Sequence, residues 1–457
     1  MLIKEFSLDR DPIEIFKNFL SDDTPIFLDS QKNENNLGRY SIIASNPFIK
    51  FSSKNGKATV INMATKESEE YSGSSLEKLS QILEKYRVHY IGPLPFVGGA
   101  LGHFSYELLH EIENIKIDQV DDLNIPDINV GIYNEAVVID NELKKIYLIV
   151  NDFVENSNER ASFLEKKIQG ETFFLDIFYE KDVKIENCIS KDEYMRCIEE
   201  VKNNIANGNV YQINYTQRFQ CELNKSSFTL YKRLRETNKA PFASFLSFGD
   251  YEIVSNSPER FIRVQDRKID TRPIKGTISR GKTEDEDMKN FSILSKSEKD
   301  QSELLMIVDL ERNDLGKICK TGSVKVEDLF LIEKYSTVFQ QVANVEGILE
   351  DNITFYDIMK ATFPGGSITG APKISAMELI GRLEKTTRNI YTGSIGYVSF
   401  NGNMDLNIVI RTVLCKDNMA YFQVGGGIVW DSDAESEFEE SLLKGKALKE
   451  ALLWKES

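Results

Sequence analysis

The spacing of apolar residues predicts a chain that mixes short strands with amphipathic helices. Two apolar-rich runs flank Lys54-Asn55-Gly56-Lys57, a pattern typical of a β-hairpin. Residues 131–153 predict a second hairpin that turns near Asp140-Asn141. Between them, residues 75–86 carry apolar side chains at helical spacing. Residues 95–113 predict a glycine-rich turn that runs into an amphipathic helix.

A second part of the chain begins after a more polar stretch. Ser190-x-x-Glu193 is a capping box and predicts a helix to about Ala206. Beyond it, predicted helices alternate with β-rich segments, among them residues 394–402 and 405–414. We therefore predict an N-terminal part, 1–185, packed intimately against a second part, 186–457, as one unit.

Charge and composition exclude several classes of partner. With 56 Lys and Arg against 72 Asp and Glu among 457 residues, the net charge is −16, which disfavours nucleic acid and anionic membranes. Charges throughout the first residues disfavour a signal peptide, and the lack of any run of 18 apolar residues disfavours a membrane span. The five scattered cysteines fit free thiols in the cytoplasm better than disulfides or zinc. Since the histidines are His89, His103 and His110, chemistry further along must use other groups.

Two pairs of carboxylates are candidates for a metal site. Asp300 and Glu303, like Glu437 and Glu440, are three residues apart, so each pair shares a helical face. If the two faces meet, they offer the hard oxygen ligands that Mg²⁺ prefers. Taken singly, either pair is also explained by acidic residues that complement a helix dipole.

Three further segments could carry chemistry. The run Gly425–Gly427 permits either a close backbone approach to a ligand or a β-bulge. Lys275 is a nucleophile if it is desolvated and otherwise a solvated surface group. Glu259 is a general acid if it is buried, or else an ion-pair partner of Arg260.

The segment 363–380 is a glycine-rich loop that enters a helix. It begins like a phosphate-binding P-loop, but Ala371 stands where the P-loop lysine belongs, which excludes a nucleotide P-loop. Pro372 suits the start of the helix. The free N–H groups there could bind an anion, or the loop could be a plain turn.

Taken in order, these motifs resemble the chorismate-utilising enzymes, which include the first components of anthranilate synthase and aminodeoxychorismate synthase, isochorismate synthase and salicylate synthase. The matching segments are SPERF, PIKGT, ELLMIVDLERNDLG, FPGGSITGAPK, GSIGY, DLNIVIRT and GGGIVWDSD, all within residues 255–433. The resemblance implies an α+β fold of two large, mainly antiparallel sheets packed as a sandwich with flanking helices. It also implies Mg²⁺-bound chorismate as the substrate.

The resemblance assigns roles to individual residues. Glu303 and Glu440 match direct Mg²⁺ ligands, and Asp300 and Glu437 match carboxylates that hold metal-bound waters. Arg411 and Tyr391 match groups that hold the enolpyruvyl carboxylate. The other matching substrate contacts are Gly276, Thr277, Ser367, Gly425, Gly427 and Lys444.

Lys275 indicates the branch of the family. PIKGT is typical of the aminodeoxychorismate branch, in which the lysine attacks C2 of chorismate, Glu259 protonates the departing C4 hydroxyl and ammonia adds at C4. Anthranilate synthases generally have PIAGT. The chain has no glutaminase nucleophile, so a separate glutamine amidotransferase subunit, component II, is implied. The alternatives are anthranilate synthase component I and a non-catalytic chorismate- or tryptophan-binding regulatory protein.

Two features qualify the resemblance. Many relatives have a histidine where Gln340 stands, and an amide cannot carry a proton at neutral pH, so we expect Gln340 to orient substrate. The family's tryptophan pocket corresponds to Ser30, Pro241 and Phe242. The resemblance assigns that pocket, together with a surface for the amidotransferase, to the N-terminal part.

Overall fold

Two antiparallel sheets form the centre of the protein. The computed structural model describes residues 1–7, 9–31, 37–115, 119–153, 156–335 and 338–455. Within these ranges each sheet has twelve strands. The first comprises β1 (Leu2–Ser7), β2 (Ile26–Asp29), β3 (Tyr40–Ala44), β9 (Glu135–Asp140), β10 (Lys145–Val150), β11 (Glu186–Asn187), β12 (Gln212–Glu222), β13 (Phe242–Ser247), β14 (Tyr251–Ser257), β20 (Gly370–Ala371), β23 (Thr412–Lys416) and β24 (Met419–Ile428). The second comprises β4 (Ile49–Lys54), β5 (Lys57–Asn62), β6 (Ser68–Ser72), β7 (Gly99–Phe104), β8 (Ile128–Tyr133), β15 (Arg260–Gln265), β16 (Lys268–Thr271), β17 (Ile274–Ser279), β18 (Lys325–Lys334), β19 (Val338–Ile348), β21 (Ser394–Ser399) and β22 (Met404–Asn407).

Helices cover the outer faces of both sheets. They are α1 (Pro12–Phe16), α2 (Ser75–Lys85), α3 (Leu109–Ile112), α4 (Ser157–Gln169), α5 (Lys191–Ala206), α6 (Ser227–Thr237), α7 (Glu284–Ser295), α8 (Glu298–Gly316), α9 (Phe355–Thr362), α10 (Lys373–Leu383), α11 (Ala434–Lys444) and α12 (Lys446–Leu453). Short 3-10 turns span Lys17–Phe19, Tyr106–Leu108 and Gly366–Ile368. Between the sheets, side chains such as Val138 and Ile253 from the first meet Leu101 and Ile395 from the second. This confirms the predicted α+β sandwich.

Several local predictions are confirmed. The hairpin β4–β5 turns at Asn55 and Gly56, whose φ angles of 51° and 70° suit the tight turn that an Asn-Gly pair favours. The helix predicted over 75–86 is α2. The Ser190 hydroxyl accepts a hydrogen bond from the Glu193 amide and caps α5. The Glu193 side chain forms an ion pair with Lys385, so no reciprocal capping box forms.

Other local predictions are wrong in an instructive way. The glycine-rich stretch within 95–113 is not a turn, because residues 99–104 form β7 inside the second sheet. Only short helical turns follow it. Of the hairpin predicted over 131–153, β9 and β10 pair as expected, whereas the beginning belongs to β8 in the other sheet. The segment 405–414 likewise divides between two sheets.

Both sheets contain strands from each side of residue 185. The division of 405–414 shows how the chain passes between them. β22 ends in the second sheet, and β23 begins five residues later in the first. Arg411, in this crossing, has a φ of 51°. The crossing therefore places a basic side chain where the two sheets come together.

A buried ion pair ties three segments to one another. Arg388, which is 1% exposed, donates hydrogen bonds of 2.7–2.8 Å to Glu384. It also donates to the Ile368 carbonyl at 3.1 Å and to the Asn214 carbonyl at 2.6 Å. Its guanidinium lies 4.7 Å from the Tyr106 ring centroid. One planar cation thus holds the loop before β20 against β12.

We expect Arg388→Met to lower the free energy of unfolding by about 3–5 kcal/mol, because it leaves the Glu384 carboxylate buried without its partner. Urea unfolding followed by circular dichroism measures the change. The control is Lys385→Ala, which removes an exposed ion pair worth at most about 1 kcal/mol. An Arg388→Met protein within 1 kcal/mol of wild type would show that the pair is not structural.

Candidate active site

The strand β17 brings Lys275 towards the first sheet through a local irregularity. Its register with β19 shifts between Lys275 and Thr277. The intervening Gly276 has a φ of 75°, and a Cβ added there would lie 2.8 Å from Cγ of Asp300. Only glycine combines this backbone angle with so close an approach. The bulge therefore sets Lys275 beside the beginning of α8.

Lys275 lies among charged groups from several elements. Burial lowers the pKa of Lys275 below the usual value for lysine, and Lys444 acts in the same direction, whereas the charges of Glu303, Glu259 and Glu440 oppose the shift. The net lowering of this pKa favours the neutral amine over the ammonium ion, and the neutral amine is the form that can attack carbon. The surface interpretation of Lys275 is thus not supported.

Glu259 is a buried carboxyl next to this lysine. It is 7% exposed, and its Oε1 atom has no hydrogen-bond partner among the described residues. Burial raises the pKa of Glu259, although Ser367, Lys275 and Arg411 partly counteract the effect. Arg260 points elsewhere and donates to Asp405 at 3.0 Å, so the predicted alternative of a Glu259–Arg260 ion pair is wrong.

The two acidic pairs lie on two helices, as predicted. Asp300 and Glu303 are in the first two turns of α8, and Glu437 and Glu440 are on α11. Burial raises the pKa of Glu303, and the charges of Asp300 and Glu437 raise it further. Burial likewise raises the pKa of Glu437, with a further contribution from Glu440. The carboxylates of α8 therefore lie close enough to those of α11 for their charges to interact.

The strand β24 passes close to α11 along its glycine run. A Cβ added at Gly426 would lie 3.3 Å from both Oε2 of Glu437 and Nζ of Lys444. One added at Gly427 would lie 3.4 Å from Nζ of Lys275. Because the pairing of β12 with β24 runs through this stretch without a register shift, the predicted alternative of a β-bulge is wrong. The glycines leave room for the side chains of Glu437, Lys444 and Lys275, and the approach of this backbone to a ligand stays a prediction.

The donor chemistry of the four carboxylates suits a hard divalent cation. As the side chains lie, no three His, Cys, Asp or Glu residues in the described parts of the chain converge closely enough to enclose a metal ion. Three lysines supply positive charge instead: Lys444 pairs with Glu440 at 2.8 Å, and Lys275 and Lys299 act on the same carboxylates. The carboxylates repel one another and offer hard oxygen ligands, and both properties suit a bound Mg²⁺ ion.

Comparison with known proteins decides the family. Residues 23–450 match the family described as chorismate binding enzyme. The chain belongs to the chorismate-binding enzyme family. It is 37% identical to anthranilate synthase component 1 of Acetivibrio thermocellus over 458 residues, covering 96% of this chain and 92% of that protein. It is also 37% identical to aminodeoxychorismate synthase component 1 of Bacillus subtilis over 428 residues, covering 91% and 89%.

A solved structure agrees with this assignment. The crystal structure of anthranilate synthase component I from Streptococcus pneumoniae superposes with a TM-score of 0.82 at 31% identity, covering 91% of this chain and 92% of that chain. The chain is therefore a chorismate-utilising enzyme with the fold of these relatives. The two differently named relatives have the same identity to this chain, so overall identity does not choose between the two activities that their names give.

The predicted substrate-binding residues of this chorismate-binding enzyme do not all lie beside Lys275. Tyr391 is buried, and its pKa is raised first by burial and then by Glu384, against the effect of Arg388. Arg411 faces Glu259, and among the described residues its guanidinium makes no hydrogen bond or ion pair. A half-buried guanidinium without a partner among the described residues is suited to an anionic ligand.

The position opposite Lys275 was not predicted. Gln340 pairs with Thr277, whereas Gln341 pairs with Lys275, and directly opposed residues of antiparallel strands share a face. Gln341 is fully buried, and neither atom of its amide has a hydrogen-bond partner among the described residues. Lys299 was also missed. It is next to Asp300 in sequence, but only the fold shows that it faces α11.

A separate cavity of about 370 Å³ is lined by the predicted pocket residues Ser30, Pro241 and Phe242. Asp29, Tyr397 and Arg260 complete parts of its wall. Ser30 does not point freely into it, because its hydroxyl donates to the Tyr40 carbonyl at 2.6 Å. The cavity lies between β2, β13 and the second sheet, and Arg260 is the residue directly after Glu259.

Proposed function

We propose that this enzyme aminates chorismate at C4, giving 4-amino-4-deoxychorismate for 4-aminobenzoate and folate synthesis. The observation that carries the proposal is the lysine at position 275, held by a bulged strand beside a buried carboxyl. Position 275 is alanine in the PIAGT motif of anthranilate synthases, so a nucleophile stands where that branch has a methyl group. Burial lowers the pKa of Lys275, which favours the reactive amine.

The residues support a balanced sequence of two substitutions. The neutral Lys275 amine forms a bond to C2, the ring double bonds shift, and the C4–O bond breaks while Glu259 gives its proton to the departing oxygen, which leaves as water. Ammonia then bonds to C4, the double bonds shift back, and Lys275 leaves as a neutral amine. The new C4 ammonium returns one proton to Glu259. The net reaction exchanges hydroxyl for amine.

Charge around the pocket explains how an acidic protein holds a dianion. We infer that Glu303 and Glu440 bind Mg²⁺ directly and that Asp300 and Glu437 bind it through water. When bound, the ion supplies Lewis-acid assistance at the substrate. Arg411 and Tyr391 hold the enolpyruvyl carboxylate, and Gly276, Thr277, Gln340, Ser367, Gly425, Gly427 and Lys444 contact the remainder. In this scheme Gln340 orients the substrate without transferring a proton.

Ammonia must come from elsewhere. The sequence contains no cysteine in a glycine-rich elbow that could pair with a histidine, which supports a separate glutamine amidotransferase subunit as donor. We further propose a cytoplasmic enzyme. The five cysteines are free, and three of them are buried. No described helix has the length and apolar character to cross a membrane.

We expect Lys275→Ala to slow formation of 4-amino-4-deoxychorismate at least about 100-fold, because it removes the nucleophile. Purified protein is incubated with chorismate, Mg²⁺ and ammonium, and products are identified by mass and fluorescence. Lys275→Arg fails as well, since guanidinium stays charged. The control Lys282→Ala changes an exposed lysine beyond the same strand.

The dependence of the wild-type rate on pH gives a second readout. An amine must lose its proton to react, so the lowered pKa places the acidic limb of the wild-type profile below the usual lysine value. Wild-type protein that makes anthranilate, or Lys275→Ala protein that makes 4-amino-4-deoxychorismate at the wild-type rate, contradicts the proposal.

We expect Glu303→Gln to abolish Mg²⁺ binding and turnover while keeping the fold, because the amide retains size but not charge. In wild type, Mg²⁺ at 100 times its Kd should add about 2.7 kcal/mol of stability, seen as a rise in Tm. Glu303→Gln should show no rise. Glu439→Gln, an exposed neighbour on α11, is the control. Full activity in excess EDTA rejects the metal assignment.

We also propose that the second cavity binds tryptophan or a similar aromatic amino acid. Its volume of about 370 Å³ lies in the range of small-ligand pockets. Phe242, Tyr397 and Pro241 offer an apolar surface, and Asp29 and Arg263 provide charges of both signs at the wall. That combination suits a zwitterion with an aromatic side chain.

We expect Phe242→Ala to weaken tryptophan binding at least about tenfold, since a lost aromatic wall costs about 1.5 kcal/mol or more. Isothermal titration calorimetry gives the Kd. The control is Phe163→Ala, which truncates an aromatic side chain on α4 that is 49% exposed and outside the cavity. Failure of wild-type protein to bind tryptophan at millimolar concentration contradicts this assignment.

A further inference from the structure

A second buried carboxyl stands behind Glu259 and has no part in the chemistry described so far. Glu311 lies on α8, two turns beyond Glu303, and is 8% exposed. Its Oε2 atom is buried and has no hydrogen-bond partner among the described residues. A buried carboxyl with an unsatisfied oxygen is costly unless it is neutral or shares a proton.

The two carboxyls lie in the same buried part of the molecule. The helix α8 packs against the 3-10 turn Gly366–Ile368, where a Cβ added at Gly366 would lie 2.8 Å from Cδ2 of Leu310, the residue before Glu311. Ser367 in the same turn faces Glu259. Glu259 also has one buried oxygen without a partner. Each carboxyl thus carries one unsatisfied oxygen in the same buried region.

Charged and polar groups from several elements surround Glu311. Around Glu311 are Glu259, Asp314 on the same helix, Lys373 from α10 and the Thr271 hydroxyl from β16. Lys373 is itself paired with Asp314 and bonded to the Thr362 carbonyl.

Burial raises the pKa of Glu311 well above its ordinary value, and the charge of Glu259 raises it further. The cations Lys275 and Arg411 face Glu259 and lower its pKa. The two environments therefore oppose a charge on both carboxyls at once, and the nearby cations make Glu259 the readier of the two to release a proton.

We propose that Glu311 is a positioning residue that forms a proton-sharing carboxyl pair with Glu259 and so keeps a proton available for the departing hydroxyl. The inference rests on the acid role proposed for Glu259. Before the transfer the pair holds one proton, so one negative charge is spread over its two carboxyls. Glu259 then passes that proton to the C4 oxygen. The proton released by the C4 ammonium restores the pair.

Two carboxyls that share a proton give the reaction rate a distinctive dependence on pH. Two carboxyls that interact lose their last proton at a higher pH than either would alone, because the second charge is resisted by the first. Activity should therefore persist until that last proton leaves. In Glu311→Gln the neighbouring charge cannot form, so we expect the alkaline limb of the rate profile to move down by about one pH unit or more.

The experiment compares wild type, Glu311→Gln and Glu311→Asp for chorismate consumption across pH at constant free ammonia. Glu311→Asp keeps a carboxyl and should restore most of the alkaline limb. Gln341→Leu removes a fully buried polar group that does not titrate, so it should lower the rate at most and leave the limb in place. Thermal unfolding checks that each variant is folded.

Infrared titration of ligand-free protein separates this inference from the reaction itself. Wild type should keep a protonated-carboxyl band to higher pH than Glu311→Gln, whichever product the enzyme makes. If Glu311→Gln does not fold, the comparison is made with Glu311→Asp, whose band should titrate at a different pH from that of wild type. An unmoved alkaline limb together with an unchanged band overturns the proposal.

Discussion

The close approach of side chains to bare glycine backbone, on one strand of each sheet, governs the whole site. A Cβ added at Gly427 on β24 would overlap the Gln212 amide and touch the Lys275 amine, and one added at Gly276 on β17 would overlap Asp300. At Gly276 the φ of 75° disfavours any side chain in addition to that overlap. Bare backbone on these two strands therefore lets the lysine amine and the beginning of α8 pack directly against them.

Charge is the second constraint. A chain of net charge −16 builds a pocket that contains four carboxylates and still suits an anion. It does so by facing three lysines, Lys275, Lys299 and Lys444, towards those carboxylates and by leaving the Arg411 guanidinium unpaired among the described residues. Desolvation then shifts the pKa values of the groups inside the pocket. It lowers the pKa of Lys275 and raises those of Glu259 and Glu311.

The sequence predicted what local patterns control. Asn55-Gly56 fixed a turn, and the spacing of Asp300 and Glu303 put both on one helix. The pattern failed where the chain changes sheets, because strands buried on both faces lack alternation, and β7 reads as glycine-rich coil. Gln341, Glu311 and Lys299 could not be found from sequence spacing. They face the site through strand register or helix packing, and both are tertiary properties.

The site and the second cavity are joined by a single peptide bond. Glu259 faces Lys275, and Arg260, the next residue, lines the cavity while donating twice to Asp405 at 3.0 Å. Arg260 is 6% exposed, and it also lies 3.6 Å from Asp270. Displacing this guanidinium would break its ion pairs with Asp405 and Asp270. An occupant that displaces Arg260 would therefore disturb these contacts directly beside the proposed acid, and an occupant that fits around Arg260 leaves them in place.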